Sequence, residues 1–281
     1  MVQPRGKRRQ LGRRLQMLRE RARLTLDDAA PKLRWSTSKL SRIEHGQLVD
    51  YHALKSMLDL YGVTADRWPE YFELHEAAGQ NGWWKAYGLD DKGYVPLEAD
   101  ASEVREFIVT SVPGLLQTAD YARAIFRAAV TRRSVEELRN EVAVRMIRQK
   151  RLSSAENPLR LVAIMDVAVL HRVVGGPKVM AAQLARLIET AASDAVTLQV
   201  LPAGIGAHTA MTGGFSILSF GELGEPDIVY VEHSLGSTMS ETESDVARTT
   251  LRFDRLRSDA LSPDDSLALI RRAAERYNSP P

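Results

Sequence analysis

Apolar residues recur at helical spacing through the first 60 residues and predict a module of four short helices. The second helix is predicted to begin after Thr25, the third after Ser36, and the fourth to end at Gly62. Pro31 removes a backbone hydrogen bond, so the second helix should be short or kinked. The predicted inward positions are Leu11, Leu15, Leu18, Ala22, Leu26, Ala29, Ala30, Leu33, Leu40, Ile43, Leu54, Leu58 and Tyr61.

The third predicted helix turns a polar and basic face outward when Leu40 and Ile43 point inward. Two short helices with a tight turn between them are the layout of a helix-turn-helix, whose second helix enters the major groove of DNA. Lys39 and Arg42 suit either guanine edges or phosphates, and both alternatives stay open. The first helix carries Arg13, Arg14, Arg19, Arg21 and Arg23 off its leucine stripe, available to phosphates. The predicted DNA-binding residues are Ser36, Thr37, Ser38, Lys39, Ser41, Arg42, Arg13 and Arg14.

Charge divides unevenly along the chain. Residues 1–50 contain 13 Lys and Arg against five Asp and Glu, whereas residues 51–281 contain 25 against 31. A solvated basic tail would explain Arg5, Lys7, Arg8 and Arg9, but not the folded pattern that follows, so double-stranded DNA is the expected partner. No cysteine is present, and neither a secretory signal nor an apolar run long enough to span a bilayer is found, so we expect a cytoplasmic, nucleoid-associated protein.

The segment LSRIEHG resembles the Xre/phage-repressor family, whose motif runs close to S-x-x-x-L-S-R-I-E-x-G. The resemblance implies a phage-repressor-like helix-turn-helix. It also implies that Glu44 is structural and pairs with an arginine of the first helix. Arg34-Trp35 departs from the family, which has Gly-Val in the turn. The matching positions are Ser36, Leu40, Ser41, Arg42, Ile43, Glu44 and Gly46, of which Leu40, Ile43, Glu44 and Gly46 are expected to be structural.

The rest of the chain predicts one more helix, a linker and a second domain. Residues 64–78 should be helical, with Trp68, Phe72 and His75 on one side. Residues 79–100 are rich in glycine and aromatics, so the predicted domains are 1–78 and 101–281. The Trp83-Trp84 pair could stack on bases or pin the linker to a domain surface.

Helices and short apolar strands then alternate, which predicts an α+β or α/β domain with a small central sheet. The predicted strands are 104–112, 159–166, 196–202, 214–220 and 227–233. The predicted helices follow Thr118, Ser134 and Ser262, cover 179–192, and begin near 241.

This second domain also resembles a known family. The segments VPGLLQTADYARA, MDVAVLHRVVGG, LQVLPAGIGAHTAMTGGFSILSF and VYVEH look like the domain of unknown function attached to actinobacterial Xre-type regulators, WhiJ-like proteins among them. The resemblance implies a regulator, such as a repressor, that is antitoxin-like and encoded beside a small acidic partner protein.

The six histidines show no metal-ligand spacing, and neither a Walker A loop nor a nucleophile elbow is found. The sequence therefore predicts no enzyme, no cofactor and no metal. His208, Thr209 and Met211 lie in a glycine-rich loop, 202–214, that could bind a partner or cover a small molecule, although a loop histidine bonded to backbone is the alternative. We expect a homodimer on an inverted-repeat operator, controlled either by the acidic partner or by a metabolite.

Overall fold

A computed structural model describes residues 4–90, 93–130, 133–221 and 225–278. These residues divide into two compact units. The first contains the described residues up to Asp100 together with Glu225, and the second contains Ala101–Gly221 and the residues from Pro226 onwards. None of the described helices is long and apolar enough to cross a membrane.

Helices build the first unit. The described α-helices are α1 (Pro4–Arg21), α2 (Leu26–Lys32), α3 (Thr37–Glu44), α4 (Tyr51–Leu60), α5 (Trp68–Gly79) and α6 (Tyr94–Asp100), with short 3-10 turns at Ala65–Arg67 and Trp83–Tyr87. Because α1 begins at Pro4, Lys7, Arg8 and Arg9 are helical and do not form a solvated tail; the side chain of Arg5 lies outside the described residues.

The leucine stripe of α1 and the apolar faces of α3 and α4 form the core of this unit. Ala22, Leu26 and Leu33 are only partly buried, in contrast to the prediction, because they lie at helix ends. The buried members are Leu11, Leu15, Leu18, Ala29, Ala30, Leu40, Ile43, Val49, Leu54, Met57, Leu58, Tyr61, Tyr71 and Leu74.

In the segment between the predicted domains, the described residues 79–90 and 93–100 include a 3-10 turn and helix α6. Trp84 is fully buried, so it cannot stack on bases, and Trp83 contacts its ring edge-on with the centroids 6.0 Å apart. In α5 the buried positions are Tyr71, Leu74 and Ala78, whereas Trp68 and Phe72 pack at the margin of the core. The first unit therefore continues to Asp100.

A six-stranded mixed sheet organises the second unit, in the order β3-β2-β1-β4-β5-β6. Neighbouring strands among β1–β3 are parallel, and the other neighbouring pairs are antiparallel. Five strands and the α+β class were predicted, and β6 was missed because GSTMS has no apolar alternation. The strands are β1 (Glu103–Ile108), β2 (Arg160–Asp166), β3 (Val196–Leu201), β4 (Phe215–Ser219), β5 (Ile228–His233) and β6 (Gly236–Ser240).

Helices pack against one face of this sheet and against its β3 edge. Phe253 and Leu256 of α11 pack on one face, and α12 packs against α10 and β3. The β3 edge is capped because Val200 donates its N–H to Ser266 Oγ at 2.9 Å and accepts from the Leu261 N–H at 3.0 Å. The helices are α7 (Ala119–Ala128), α8 (Val135–Gln149), α9 (Ala168–His171), α10 (Pro177–Thr190), α11 (Glu243–Asp259) and α12 (Pro263–Asn278).

The predicted capping residues of the second unit begin their helices as expected. Thr118 accepts from the Tyr121 N–H, and Ser134 forms a capping box with Glu137. The backbone N–H and the hydroxyl of Ser134 donate to Glu137 and lower the pKa of its carboxyl. Ser262 caps α12 by accepting from the Asp265 N–H at 3.1 Å.

Candidate nucleic-acid interface

Helix α2 is short and firmly capped. Thr25 Oγ1 accepts from the Asp28 N–H at 3.1 Å, and the Asp28 carboxylate accepts from the Thr25 N–H at 2.9 Å. The Thr25 hydroxyl, followed by the Thr25 backbone N–H, lowers the pKa of Asp28 by donating to its carboxylate. Pro31 lies inside the helix, which ends after seven residues, as the missing backbone donor predicted.

The turn from α2 to α3 depends on a left-handed residue. Arg34 has φ +58°, its N–H donates to the Pro31 carbonyl, and the Trp35 N–H donates to the Ala30 carbonyl at 2.9 Å. This is a Schellman ending, in which glycine is the favoured left-handed residue. A side chain in this conformation costs roughly 1 kcal/mol. Arginine therefore occupies the left-handed position without loss of the turn.

Helix α3 begins at its predicted cap and presents the predicted polar face. Ser36 Oγ accepts from the Lys39 N–H at 3.2 Å. Ser38 and Arg42 are exposed, and Thr37, Lys39 and Ser41 are half-buried. The ammonium of Lys39 lies 4.2 Å from the ring centroid of Trp35, a cation–π distance that holds this cation beside the turn.

A buried ion pair fixes α3 to α1. Arg19 donates through Nε and Nη2 to the two carboxylate oxygens of Glu44, at 2.7 and 2.8 Å. A third donor, Nη1, reaches the Leu24 carbonyl at 2.8 Å. Hydrogen bonding to Glu44 raises the pKa of Arg19. The prediction that Arg19 faces solvent is wrong, because this side chain is the partner of Glu44.

Tyr61 lies beside this ion pair. Burial, followed by the negative charge of Glu44, raises the pKa of its hydroxyl. The phenol therefore stays neutral beside the Glu44 carboxylate.

Two glycines allow α1 and α3 to approach closely. A Cβ on Gly12 would lie 2.5 Å from the carbonyl oxygen of Glu44 and 2.7 Å from that of Ile43. Gly46 has φ +98°, and a Cβ there would lie 3.2 Å from Cγ of Arg9. Gly12 was not singled out from the sequence, because a glycine at a helix contact leaves no mark in the apolar periodicity.

The arginines predicted to contact phosphates from α1 already have acidic neighbours. Arg13 lies 3.7 Å from Glu225, whose side chain is 2% exposed and lies 2.6 Å from Arg9. Arg14 lies 3.7 Å from Glu70. A phosphate would have to compete with these carboxylates, so α1 is a weaker candidate than α3 for contacts to DNA.

Further exposed cations lie at the ends of α1 and α2, and two of them, Arg21 and Arg23, were predicted to be available to phosphates. Lys32, Arg34, Arg21 and Arg23 are exposed at the ends of α1 and α2. Arg23, like Arg34, has a positive φ, of 56°. Lys32 is the last residue of α2 and Arg34 follows in the turn, so the signal of these two in the sequence is a position at a helix end, where a side chain stays outside the core.

The loop residues predicted as a ligand or partner site lie in the second unit and do not converge. His208 Nδ1 accepts from the Ala210 N–H at 3.2 Å, which is the backbone-bonded alternative, and its ring contacts Phe107 edge-on. The Thr209 hydroxyl donates to the Arg252 carbonyl at 3.3 Å, and Met211 is exposed. In the part of the chain that is described, no three His, Asp or Glu side chains could hold a metal ion.

Comparison with known proteins gives two matches. A helix-turn-helix domain matches residues 10–70, and a domain of unknown function, DUF5753, matches residues 92–272. No curated protein and no solved structure matches the chain significantly. The helix-turn-helix domain points to a DNA-binding regulator rather than an enzyme, and the second match is to a domain whose chemistry is uncharacterised.

Proposed function

This chain belongs to the DUF5753 family, and we propose that it is a sequence-specific transcriptional regulator that reads DNA through α3. The observation that carries the proposal is the outward face of α3. It offers three hydroxyls, a lysine and an arginine, while Leu40, Ile43 and the Arg19–Glu44 pair hold its other face. In helix-turn-helix proteins the first residues of this helix meet base edges.

Within this proposal the residues of α3 have different roles. Thr37 and Ser38, in the first turn, face the major groove, and Arg42 donates to a guanine edge or a phosphate. Lys39 contributes charge from its position over Trp35. Ser36 and Ser41 make phosphate or water-mediated contacts, and Arg13 and Arg14 contact phosphates only after leaving their carboxylate neighbours.

The regulator acts as a homodimer on an inverted repeat, since one recognition helix reads too few base pairs for useful specificity. Its second unit receives the signal. The resemblance to WhiJ-like, actinobacterial and antitoxin-like repressors supports a small acidic partner protein as that signal. The alternative signal is a small molecule. Co-purification of a small acidic protein with the tagged chain tests the partner-protein hypothesis.

Selection of bound duplexes from a random DNA pool tests the function. We expect an enriched inverted repeat whose half-sites lie about one helical turn apart, and an affinity that falls steeply as salt rises. Lys39→Ala combined with Arg42→Ala should weaken binding to that sequence by 100-fold or more, on the order of 1–3 kcal/mol for each residue. Arg255→Ala, which removes an exposed cation from α11, is the control and should bind normally. Retention of specific binding by the double variant would contradict the proposal.

A further inference from the structure

A cavity of about 640 Å³ lies in the second unit, beside the ends of two parallel strands. Its wall begins directly after β2 and β3, where the Val167 N–H donates to the Leu201 carbonyl at 3.0 Å and ties the two strand ends together. In α/β sheets, ligands bind in the crevice outside the carboxyl ends of the strands. The lining residues are Val167, Ala168, His171, Arg172, Pro202, Ala203 and Leu269.

The cavity is distinct from the loop site predicted from the sequence. Pro202 and Ala203, at the start of that loop, contribute to the wall, whereas His208, Thr209 and Met211 do not line it. The volume is in the range of small-molecule sites, about 300–1,000 Å³. The histidine of the cavity is His171.

His171 is held so that one ring nitrogen is an acceptor. The Arg276 guanidinium of α12 donates to its Nδ1 at 2.8 Å. A nitrogen that accepts this bond carries no proton, so the neutral ring has its N–H at Nε2. His171 and Arg172 are both lining residues, so the wall includes an imidazole with an N–H donor and a guanidinium.

Charge at the cavity favours an anion. Arg172 lines the wall, Arg276 donates to His171, and none of the described lining residues carries a carboxylate. The neighbouring Asp166 has an internal partner, because its Oδ1 accepts from the Ala168 N–H at 2.7 Å. The other lining side chains are aliphatic, so the site combines an apolar wall with a donor and a cation.

We infer that this cavity binds a small organic anion with an apolar body, held by His171 and Arg172 at its charged end and by the aliphatic wall along its body. This inference goes beyond the proposed function, because it assigns a ligand class to the second unit and is measured without DNA. A failure to bind DNA would not contradict ligand binding by the cavity. A failure to bind the ligand would not contradict DNA recognition by α3.

Fluorescence titration of the full chain with 8-anilinonaphthalene-1-sulfonate tests the inference. This probe pairs an apolar aromatic body with one sulfonate, and N-phenyl-1-naphthylamine is nearly the same body without the charge. We expect saturable binding of the sulfonate with a stoichiometry of one per chain and at least about tenfold weaker binding of the neutral probe.

Variants locate the bound probe. Arg172→Glu, at an exposed position, should weaken sulfonate binding by about tenfold or more, and Ala203→Trp should block it by filling the cavity. Arg255→Ala, on α11 in the same unit, should leave it unchanged. The inference is overturned if wild type shows no saturable binding, if both cavity variants bind like wild type, or if the two probes bind equally.

Discussion

The Glu44→Gln variant should strongly destabilise the first unit. Glu44 and Arg19 have side chains that are only 3% and 8% exposed, and the two short bonds between them are their main compensation for leaving water. Removing the charge of Glu44 leaves a buried guanidinium whose remaining partners are the Leu24 carbonyl and the exposed carboxylate of Glu20, 3.8 Å away. Breaking one side of such a pair costs about 3–5 kcal/mol, a large part of the 5–15 kcal/mol that stabilises a typical domain.

Tryptophan fluorescence isolates this effect from the second unit. All four tryptophans, Trp35, Trp68, Trp83 and Trp84, lie in the first unit, so urea unfolding followed by their emission reports that unit alone. With a urea dependence of about 1 kcal/mol per M, the midpoint should fall by roughly 3 M or more.

The matched control is Glu70→Gln. Glu70 lies 2.8 Å from Arg67, but the two side chains are 41% and 52% exposed, so this pair contributes about 0–1 kcal/mol. Glu44 raises the already high pKa of Arg19, so this contribution is fully present below the ordinary pKa of arginine and is lost as the pH rises through the raised one. The loss for Glu44→Gln should thus be similar at about pH 6 and about pH 8. Equal midpoints for the two Gln variants would refute the reasoning.

Two further substitutions test the backbone of the helix-turn-helix with the same urea assay. Arg34→Gly should leave the midpoint unchanged or raise stability by up to about 1 kcal/mol, because glycine relieves the positive φ at some cost in unfolded-state entropy. Arg42→Gly, inside α3, should cost about 1 kcal/mol, and a similar loss in both would contradict the left-handed assignment. Gly12→Ala should cost about 1–3 kcal/mol by overpacking against α3. Gly79→Ala, which meets only a methyl carbon of Leu48 at 3.8 Å, should cost nothing; a loss there as large as at Gly12 would contradict the close-approach argument.

Periodicity and capping chemistry predicted most of the elements, because both are local. The caps at Thr25, Ser36 and Ser134 use hydrogen bonds within three residues, and these follow from sequence spacing alone. The edge strand β6 lacked any such signal. Four of its five residues are polar or small, and they pair with β5 through the backbone, which leaves no side-chain pattern.

Contacts between side chains that are distant in the sequence could not be predicted from periodicity. Arg13, Arg14 and Arg19 are all arginines of α1. Arg19 alone is buried, because it pairs with Glu44, which is 25 residues away in the sequence. His171 and Arg276 are 105 residues apart, so their contact at the cavity wall has no local signature either. The prediction instead chose His208 from a glycine-rich loop, a local cue.

The arginines at the helix ends of the first unit place backbone strain next to the proposed DNA-reading face. Helices α1 to α4 end in the same way, with the left-handed position occupied by Arg23, Arg34, Gly46 and Gly62 in turn. Glycine satisfies this geometry at no steric cost, so the two arginines carry a penalty of roughly 1 kcal/mol each that folding does not require. Both are exposed cations, and Arg34 directly precedes α3 in the turn. A cation beside the recognition helix adds to phosphate attraction, whereas glycine adds none. We therefore interpret arginine at these two left-handed positions as a compromise. It lowers the stability of the unit slightly and adds positive charge to the part proposed to contact DNA.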